Sequence, residues 1–310
     1  MFQYDQAQSN HRRLRAMTSI DRPEFEKMLP MFQQAWESRL KEKSLESGRQ
    51  RRSGGGRKPV LQTTTDKLWF ILFYFKTYPL QQVIAFSFGM SQGQACYWIH
   101  ALSPVLKQAL NGLEQLPERR PTQLADHLAK SGETQFGIDG TDRRIHRPKK
   151  PGVQAQYYSG KKKTHIIKND LIAAVSSRKV KYLSKTYAGK IHDKKICDKE
   201  RPKFPNRSTL YQDTGFQGYR PRGVTTLQPK KKPRGGELSA EDKERNRTIS
   251  TVRVFVEHVI SGVKRCHVVK DVLRSTKDFF GDLVMEICCG LHNFRTECRS
   301  LFKSPGTYFQ

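Results

Sequence analysis

The sequence predicts a mixed α/β protein: an all-α N-terminal part, followed by a domain built on a five-stranded mixed sheet. Apolar residues before residue 125 recur at helical spacing, whereas short runs rich in β-branched and aromatic residues appear between residues 136 and 228. The 310 residues are enough for about two domains. We expect four segments: a helical segment (1–47), a basic Gly-rich linker (48–62), an all-α domain (63–125) and an α/β domain (130–300).

The first segment is charged and helical, and its apolar residues share one face of a helix. These are Phe25, Met28, Leu29, Phe32 and Trp36, with Pro30 as the residue that could interrupt the helix. Consecutive glycines, a run of arginines and a proline then follow in residues 48–59. This composition predicts a flexible basic linker, in which Arg57 and Lys58 are candidates for contact with an anionic partner.

Three helices are predicted after the linker. Residues 63–65 can cap a helix that ends at Tyr78-Pro79, a short helix follows over 80–88, and a turn at 89–91 leads into a longer helix. A short helix, a glycine turn and a capped longer helix form the layout of a helix-turn-helix, although any three-helix bundle gives a similar pattern. If the longer helix lies in a DNA groove, Gln92, Gln94 and Tyr97 near its start are the candidate DNA-facing residues.

The α/β domain is predicted from alternating short strands and helices. Five strands are expected at 136–145, 165–175, 180–187, 210–213 and 223–228. A short helix is expected at 192–199, and a basic turn at 230–236. A helix capped by Ser239 should then lead, with a break near Gly262, to a final amphipathic helix at 276–299.

The charge balance of the chain points to a polyanionic partner. Lysine and arginine number 57 against 29 acidic residues, which gives a net charge of +28. The longest apolar run, residues 68–75, is too short to cross a bilayer, and residues 1–5 do not resemble a secretory signal. Six cysteines without a C-x-x-C pair favour reduced thiols. We therefore expect a cytoplasmic, nucleic-acid-binding protein.

Three acidic residues lie at positions from which a side chain can point away from the protein core. Asp139 and Asp213 each end an apolar strand, and Glu257 lies on a helix. Phosphoryl transfer on DNA uses two Mg²⁺ ions about 3.5–4 Å apart. Magnesium prefers oxygen ligands, so these three residues are the candidate catalytic and metal-binding groups, with Mg²⁺ or Mn²⁺ as the ion.

Each of the three acids could instead have a structural role. Asp139 and Asp213 could be turn formers, and Glu257 could form a surface ion pair with Arg253 four residues earlier. Asp142, Asp170 and Asp193 compete as ligands, and we place His192, Asp193 and His258 around the site, next to the metal ligands. A glycosidase with paired carboxylates is a poor match for so basic a chain.

Basic residues accompany the candidate ligands. Arg253 and Lys264 share a helix face with Glu257. Positive charge in the strand-rich region comes from Arg147, Lys161, Lys162 and Lys163. We expect these side chains to hold DNA phosphates beside the cut.

Several ordered motifs resemble the DDE-superfamily transposases of bacterial insertion sequences, in the branch that shares its nuclease domain with Harbinger-type elements. They are Asp139-Gly140-Thr141, residues 157–165, residues 191–195, residues 213–219 and residues 256–260. Residues 56–110 look like the helix-turn-helix domain that accompanies this nuclease. The related signature often has a tyrosine three residues before the arginine, a place taken here by Ser250.

The resemblance implies a ribonuclease H-like fold with Asp139 on the first strand, Asp213 at the end of the fourth and Glu257 on a following helix. It also implies binding of double-stranded DNA at terminal inverted repeats, metal-dependent cleavage with two ions, strand transfer to target DNA and a homo-oligomer in the DNA complex. A bacterial, nucleoid-associated location follows from that activity. Two alternatives remain: a transposase-derived DNA-binding protein without catalysis, and a structure-selective nuclease that cuts without strand transfer.

Overall fold

A computed structural model of the chain describes residues 4–46 and 58–301. The chain forms two compact units. The first contains the residues up to Leu116, Arg265–Asp271 and the residues from Leu283 onward; the second contains Pro117–Lys264 and Val272–Asp282. Most of the expected linker, residues 48–57, lies outside the described residues.

The first unit begins with three helices, α1 (Tyr4–Gln8), α2 (His11–Thr18) and α3 (Arg22–Glu46). Phe25, Met28 and Phe32 of α3 are fully buried, as their spacing predicts. The helix continues through Pro30 without a break. Because most helical stability comes from packing of the apolar face, here against α6, one missing backbone hydrogen bond does not end the helix.

The three helices predicted after the linker are present as α4 (Thr64–Thr77), α5 (Gln81–Ser87) and α6 (Gln92–Gly112). Thr63 closes a capping box with Asp66 at the start of α4, and Ser91 closes one with Gln94 at the start of α6. Gly89 stands between α5 and α6 with φ of +65°, a conformation that glycine adopts without steric cost. Local signals therefore fix where these helices begin and end.

The end of the chain also contributes to the first unit, through α11 (His267–Lys270) and most of α12 (Phe280–Leu301). Asn293 donates a hydrogen bond to the carbonyl oxygen of Gln115 at 2.9 Å. Arg295 donates to the hydroxyl of Ser19 at 2.8 Å. The compact units thus divide the chain differently from the expected segments, which placed residues up to 300 in the α/β domain.

The second unit is built on a mixed sheet of seven strands rather than the five expected. The central order is β2-β3-β1-β6-β7, and β4 and β5 also pair with β3. Strand β3 is antiparallel to β1, whereas β6 is parallel to β1 and β7 is parallel to β6. The strands are β1 (Gln135–Arg144), β2 (Tyr158–Ser159), β3 (Thr164–Ala174), β4 (Val180–Leu183), β5 (Tyr187–Ala188), β6 (Ser208–Gln212) and β7 (Val224–Leu227).

The two additional strands have a simple origin. The segment expected as one strand at 180–187 is split into β4 and β5, which pair with different parts of β3. Strand β2 pairs only Tyr158 and Ser159 with the start of β3, and so short a run carries no recognisable alternation.

Four helices surround this sheet: α7 (Leu124–Ser131), α8 (Pro151–Tyr157), α9 (Asp193–Glu200) and α10 (Ala240–Val263). Helix α10 packs against β1 and β6. The approach is close, since a Cβ on Gly137 would lie 2.3 Å from Cγ2 of Val256. No helix in residues 4–46 or 58–301 is long and apolar enough to cross a membrane.

Candidate active site at the end of a parallel strand pair

Asp139 and Asp213 occupy equivalent places on neighbouring strands. The parallel ladder between β1 and β6 has Ile138 opposite Gln212 as its last pair, and the two aspartates are the next residues. Side chains alternate along a strand, so Asp139 points to the same face as Gly137, two residues earlier. That face is covered by α10, the helix that carries Arg253 and Glu257.

Burial raises the pKa of the Asp139 carboxyl to about 6. The backbone N–H of Gly140, which donates to Oδ1 of Asp139 at 2.8 Å, and the positive charge of Arg253 oppose this rise. The negative charges of Asp213 and Asp193 add to it. The site therefore holds a carboxylate that a nearby cation would stabilise.

Arg253 reaches Asp213 from the helix. Its Nη2 atom lies 3.4 Å from Oδ1 of Asp213. The same oxygen accepts a hydrogen bond of 2.6 Å from the backbone N–H of Thr214, and the side-chain amide of Gln228 donates to the backbone carbonyl of Asp213. Asp213 therefore has partners on α10, in the adjoining residue Thr214 and after β7. Arg253 forms its ion pair with Asp213 rather than with Glu257.

Glu257 lies one turn after Arg253 on α10, and its side chain is exposed. Within residues 4–46 and 58–301 it makes no hydrogen bond or ion pair, and no three His, Cys, Asp or Glu side chains form a ready metal-binding group. The structure brings Asp139 and Asp213 together and leaves Glu257 outside that pair.

The residues that we expected around the ligands differ in their surroundings. Asp193 is the first residue of α9 and forms an ion pair of 3.0 Å with Lys168. It also lies directly over Gly140, where a Cβ would be 2.8 Å from Cγ of Asp193. His192 precedes α9 and His258 follows Glu257, and both side chains are exposed.

Two of the competing acids have other partners. Asp170 is buried, its pKa is raised by burial, and the thiol of Cys197 donates to it at 3.4 Å. Asp142 lies opposite Lys168 in the β1–β3 ladder, and its backbone carbonyl accepts a hydrogen bond of 3.1 Å from Lys264. Lys264 is mostly buried and its pKa is lowered by that burial, so it is less available to solvent than the sequence suggests.

The other basic candidates are solvent-facing. Lys161, Lys162 and Lys163 form an exposed turn before β3, and exposed Arg147 donates to the side chain of Gln154 at 3.0 Å. Lys58 is exposed. Arg57 lies outside the described residues.

The predicted DNA-facing residues of the helix-turn-helix sit at the start of α6. Gln92 is exposed, but Gln94 closes the capping box by accepting a hydrogen bond of 3.0 Å from the backbone N–H of Ser91. Tyr97 is half-exposed, and the ammonium group of Lys43 lies 5.6 Å from the centre of its ring. The side chains of Gln92, Gln94 and Tyr97 are all exposed at the start of α6, and Gln94 also caps this helix.

Sequence patterns did not reveal Lys168, Thr214 and Gln228, although all three contact candidate site residues. Lys168 could be found only from the strand register that places it opposite Asp142. Gln228 follows β7, and its bond to Asp213 depends on the parallel pairing of β6 with β7. A pattern within one strand gives no information about such neighbours.

Comparison with known proteins identifies the family of the chain. Residues 138–293 match the family described as DDE superfamily endonuclease, and residues 60–112 match the helix-turn-helix of DDE superfamily endonuclease. The chain is 28% identical over 243 residues to the probable transposase for insertion sequence element IS702 of Microchaete diplosiphon, a match that covers 77% of this chain and 83% of that protein. No solved structure matches the chain. The endonuclease match alone spans half of the sequence, and the chain belongs to the DDE-superfamily transposases of insertion sequences, with the superfamily's helix-turn-helix ahead of its endonuclease domain.

Proposed function

We propose that this transposase binds the terminal inverted repeats of its own element, cuts a DNA strand at each end and joins the freed ends to target DNA. The main support for the proposal is the position of Asp139 and Asp213. They lie side by side, directly after the last residue pair of the β1–β6 ladder, on the face covered by α10. A ribonuclease H-like architecture is part of the same proposal. The antiparallel β3 beside the parallel strands β1, β6 and β7 supports it.

The donor set fits a divalent metal ion. Asp139 and Asp213 offer carboxylate oxygens, which Mg²⁺ and Mn²⁺ prefer, and burial of Asp139 favours a cation as partner. Glu257 shares a helix face with Arg253, which already reaches Asp213, so a change of side-chain conformation would bring Glu257 toward the same place. Two bound ions would supply activation of the attacking oxygen and stabilisation of the leaving oxygen.

The protein residues then have separate tasks in two steps. In the first, a water oxygen attacks the phosphorus at the element end, the bond to the 3′-oxygen breaks, and that oxygen leaves as a 3′-hydroxyl. In the second, this hydroxyl attacks a phosphorus of target DNA and displaces a 3′-hydroxyl there. Asp139, Asp213 and Glu257 would hold the metal ions, and Arg253 would exchange its contact with Asp213 for one with a phosphate oxygen.

The proposed DNA contacts outside the cleavage site involve polar and basic side chains. Gln92 and Tyr97 would read the repeat, whereas Lys58, Arg147 and residues 161–163 would hold phosphates. Because two element ends must be held together, we infer a homo-oligomer in the DNA complex. The nucleoid is the location that such a DNA-bound protein would have.

The test is Mg²⁺- or Mn²⁺-dependent nicking of a duplex that carries the inverted repeat flanking the coding sequence. Asp139→Ala, Asp213→Ala and Glu257→Ala should each abolish nicking and leave binding to the duplex unchanged. The control is Asp278→Ala, which removes an exposed acid of the second unit and should cut as the wild type does.

Three outcomes would contradict parts of this proposal. Normal nicking by Glu257→Ala would remove that residue from the ligand set. Tight binding without nicking by the wild type would favour a transposase-derived DNA-binding protein. Nicking without joined products would favour a structure-selective nuclease.

A further inference from the structure

Helix α5 has an apolar face that is exposed to solvent. Val83 and Phe86 lie three positions apart on this helix, and Leu80 immediately precedes it, so the three side chains share one side. The exposed fractions are 58% for Leu80, 52% for Val83 and 86% for Phe86. The opposite side of the helix packs on α6, with Ile84 and Ala85 buried. Leu80, Val83 and Phe86 together form what we call the α5 face.

The chain around the α5 face carries no charge. Residues 77–106 contain no lysine, arginine, aspartate or glutamate, although the whole chain has 57 basic and 29 acidic residues. The polar residues of α5 itself are the neutral Gln81, Gln82 and Ser87. The α5 face is therefore an apolar surface whose neighbours along the chain are neutral.

The DNA backbone is a poor occupant for this face. Proteins bind phosphates with lysine and arginine, or with neutral donors such as amides and hydroxyls. Val83 and Phe86 supply neither kind of group, and α5 has no basic residue to accompany them. The α5 face thus differs from the exposed lysines at residues 161–163, which suit a phosphate backbone.

A second copy of the chain fits this face better. Each copy has a net charge of +28, and two such chains repel each other wherever their basic surfaces meet. They can approach closely only where charge is scarce. The centres of protein interfaces are depleted of charged residues and enriched in aromatic ones. The α5 face meets both conditions, with Phe86 as its most exposed side chain.

We propose that the α5 faces of two copies pack against each other when the two ends of the element are held together. The proposal rests on the proposed function, which requires two copies on two ends, and it assigns the surface that joins them. A twofold-symmetric contact brings the same residues together from both copies. One helix face is smaller than the about 1,200–2,000 Å² of a stable interface, so the contact is weak between free copies and effective when one DNA molecule carries both.

The experiment uses a DNA fragment that carries both terminal repeats about 300 bp apart, twice the persistence length of DNA. A donor dye lies beside one repeat and an acceptor dye beside the other, so energy transfer rises when the wild type joins the ends. Val83→Lys/Phe86→Lys places like charges in the contact from both copies. It should reduce the fraction of joined ends at least about tenfold and still bind a single repeat as the wild type does.

The matched control is Leu40→Lys/Leu45→Lys. These residues of α3 are also exposed, at 45% and 82%, and the variant adds the same two charges elsewhere in the first unit. It should join the ends as the wild type does. Equal joining by the α5 and α3 variants would overturn the proposal. Tighter binding of a single repeat by the α5 variant than by the α3 variant, with a steeper salt dependence, would instead place the α5 face on DNA.

Failure of this inference can be distinguished from failure of the proposed function. Wild-type protein that binds and nicks single repeats without joining the ends overturns the inference alone. Absence of both binding and nicking by the wild type contradicts the proposed function, and sedimentation of the free protein at high concentration then decides about the α5 face. Association of the wild type that the α5 variant loses supports the contact, whereas equal sedimentation of the two proteins overturns it.

Discussion

Asp139 is a residue whose charged form should destabilise the folded protein. Burial raises its pKa from an ordinary value of 3.8 to about 6. We predict that Asp139→Asn raises the free energy of unfolding at pH 7 to 8, by up to about 3 kcal/mol at 1.36 kcal/mol per pKa unit. The measurement is urea unfolding without divalent metal, followed by far-UV circular dichroism, because all three tryptophans lie in the first unit and do not report on the second.

The unfolding free energy gained by Asp139→Asn should increase with pH. Below about pH 3 the carboxyl is mostly protonated in the folded and unfolded states, so the substitution should have little effect. Between about pH 3 and 6 the unfolded chain releases the proton first, and the free-energy cost to the folded wild type grows until the folded state also ionises. A stability gain for Asp139→Asn that is the same at pH 4 and pH 8 would contradict this account. Added Mg²⁺ should stabilise the wild type and not the variant.

Position 140 requires glycine because Asp193 of α9 leaves no space for a side chain. A Cβ at this position would lie 2.8 Å from Cγ of Asp193, whose carboxylate is held by Lys168. We predict that Gly140→Ala displaces Asp193 and costs about 1–3 kcal/mol of unfolding free energy, as overpacking does elsewhere. Gly160→Ala is the matched control, because a Cβ there would meet nothing within 4 Å. Equal unfolding midpoints in urea for the two variants would show that Asp193 moves aside without cost.

The sequence predicts individual site residues better than it predicts their partners. Asp139 and Asp213 could be identified because each follows an apolar run, a pattern contained within one strand. The ion pair of Arg253 with Asp213 joins residues 40 positions apart and depends on how α10 lies on the sheet. Gln94, one of the residues expected to face DNA, also closes a capping box with Ser91, and the spacing of these two residues in the sequence fits that role.

Among the secondary-structure elements, those with strong local signals agree with the sequence prediction. Helices α4 and α5 begin and end within one or two residues of the expected positions, and α6 begins at the expected position, because caps and a glycine turn mark these ends. The strand expected at 180–187 is split, since its two halves pair with different parts of β3. Pairing of this kind depends on residues distant in the chain.

The packing of α12 on α3 offers a test of long-range contacts between elements. Glu24 is buried, and its carboxylate accepts hydrogen bonds of 3.0 and 3.3 Å from Arg299. Arg299→Ala should lower the unfolding free energy of the first unit by about 2 kcal/mol, because it leaves a buried charge unpaired. Tryptophan fluorescence in urea measures the change, since all three tryptophans lie in this unit.

The matched control for that variant is Arg22→Ala. Arg22 forms an exposed ion pair of 2.7 Å with Glu26, one helical turn away. Exposed pairs of this spacing contribute about 0.3–0.5 kcal/mol, so this variant should unfold almost as the wild type does. If both variants lose the same small amount, the contact between Glu24 and Arg299 does not stabilise the packing of α12.

At the scale of the whole molecule, the units are discontinuous in the chain. Residues 265–271 and those from 283 onward belong with the N-terminal helices, and the sheet-containing unit lies between them in sequence. Composition and periodicity assign a helix to residues 276–299 but give no sign of which unit it joins. An apolar helix face such as that of α12 can pack on a sheet or in a helical bundle. The hydrogen bonds of α12 with Ser19, Glu24 and Gln115 show that it packs with the first unit.

The net charge of +28 makes a further prediction for the molecule as a whole. If DNA binding neutralises about 6–10 phosphates, affinity for the repeat should fall by about 10³–10⁵ between 50 and 200 mM salt. Each phosphate contact that is removed should reduce the slope of log affinity against log salt concentration by about one. A Lys161→Gln/Lys162→Gln protein, which lacks two exposed lysines proposed to hold phosphates, should therefore have a slope smaller by about two than the wild type, measured by fluorescence anisotropy on a labelled repeat. Asp278→Ala should leave the slope unchanged, and an unchanged slope in the double variant would mean that these two lysines do not contact the DNA backbone.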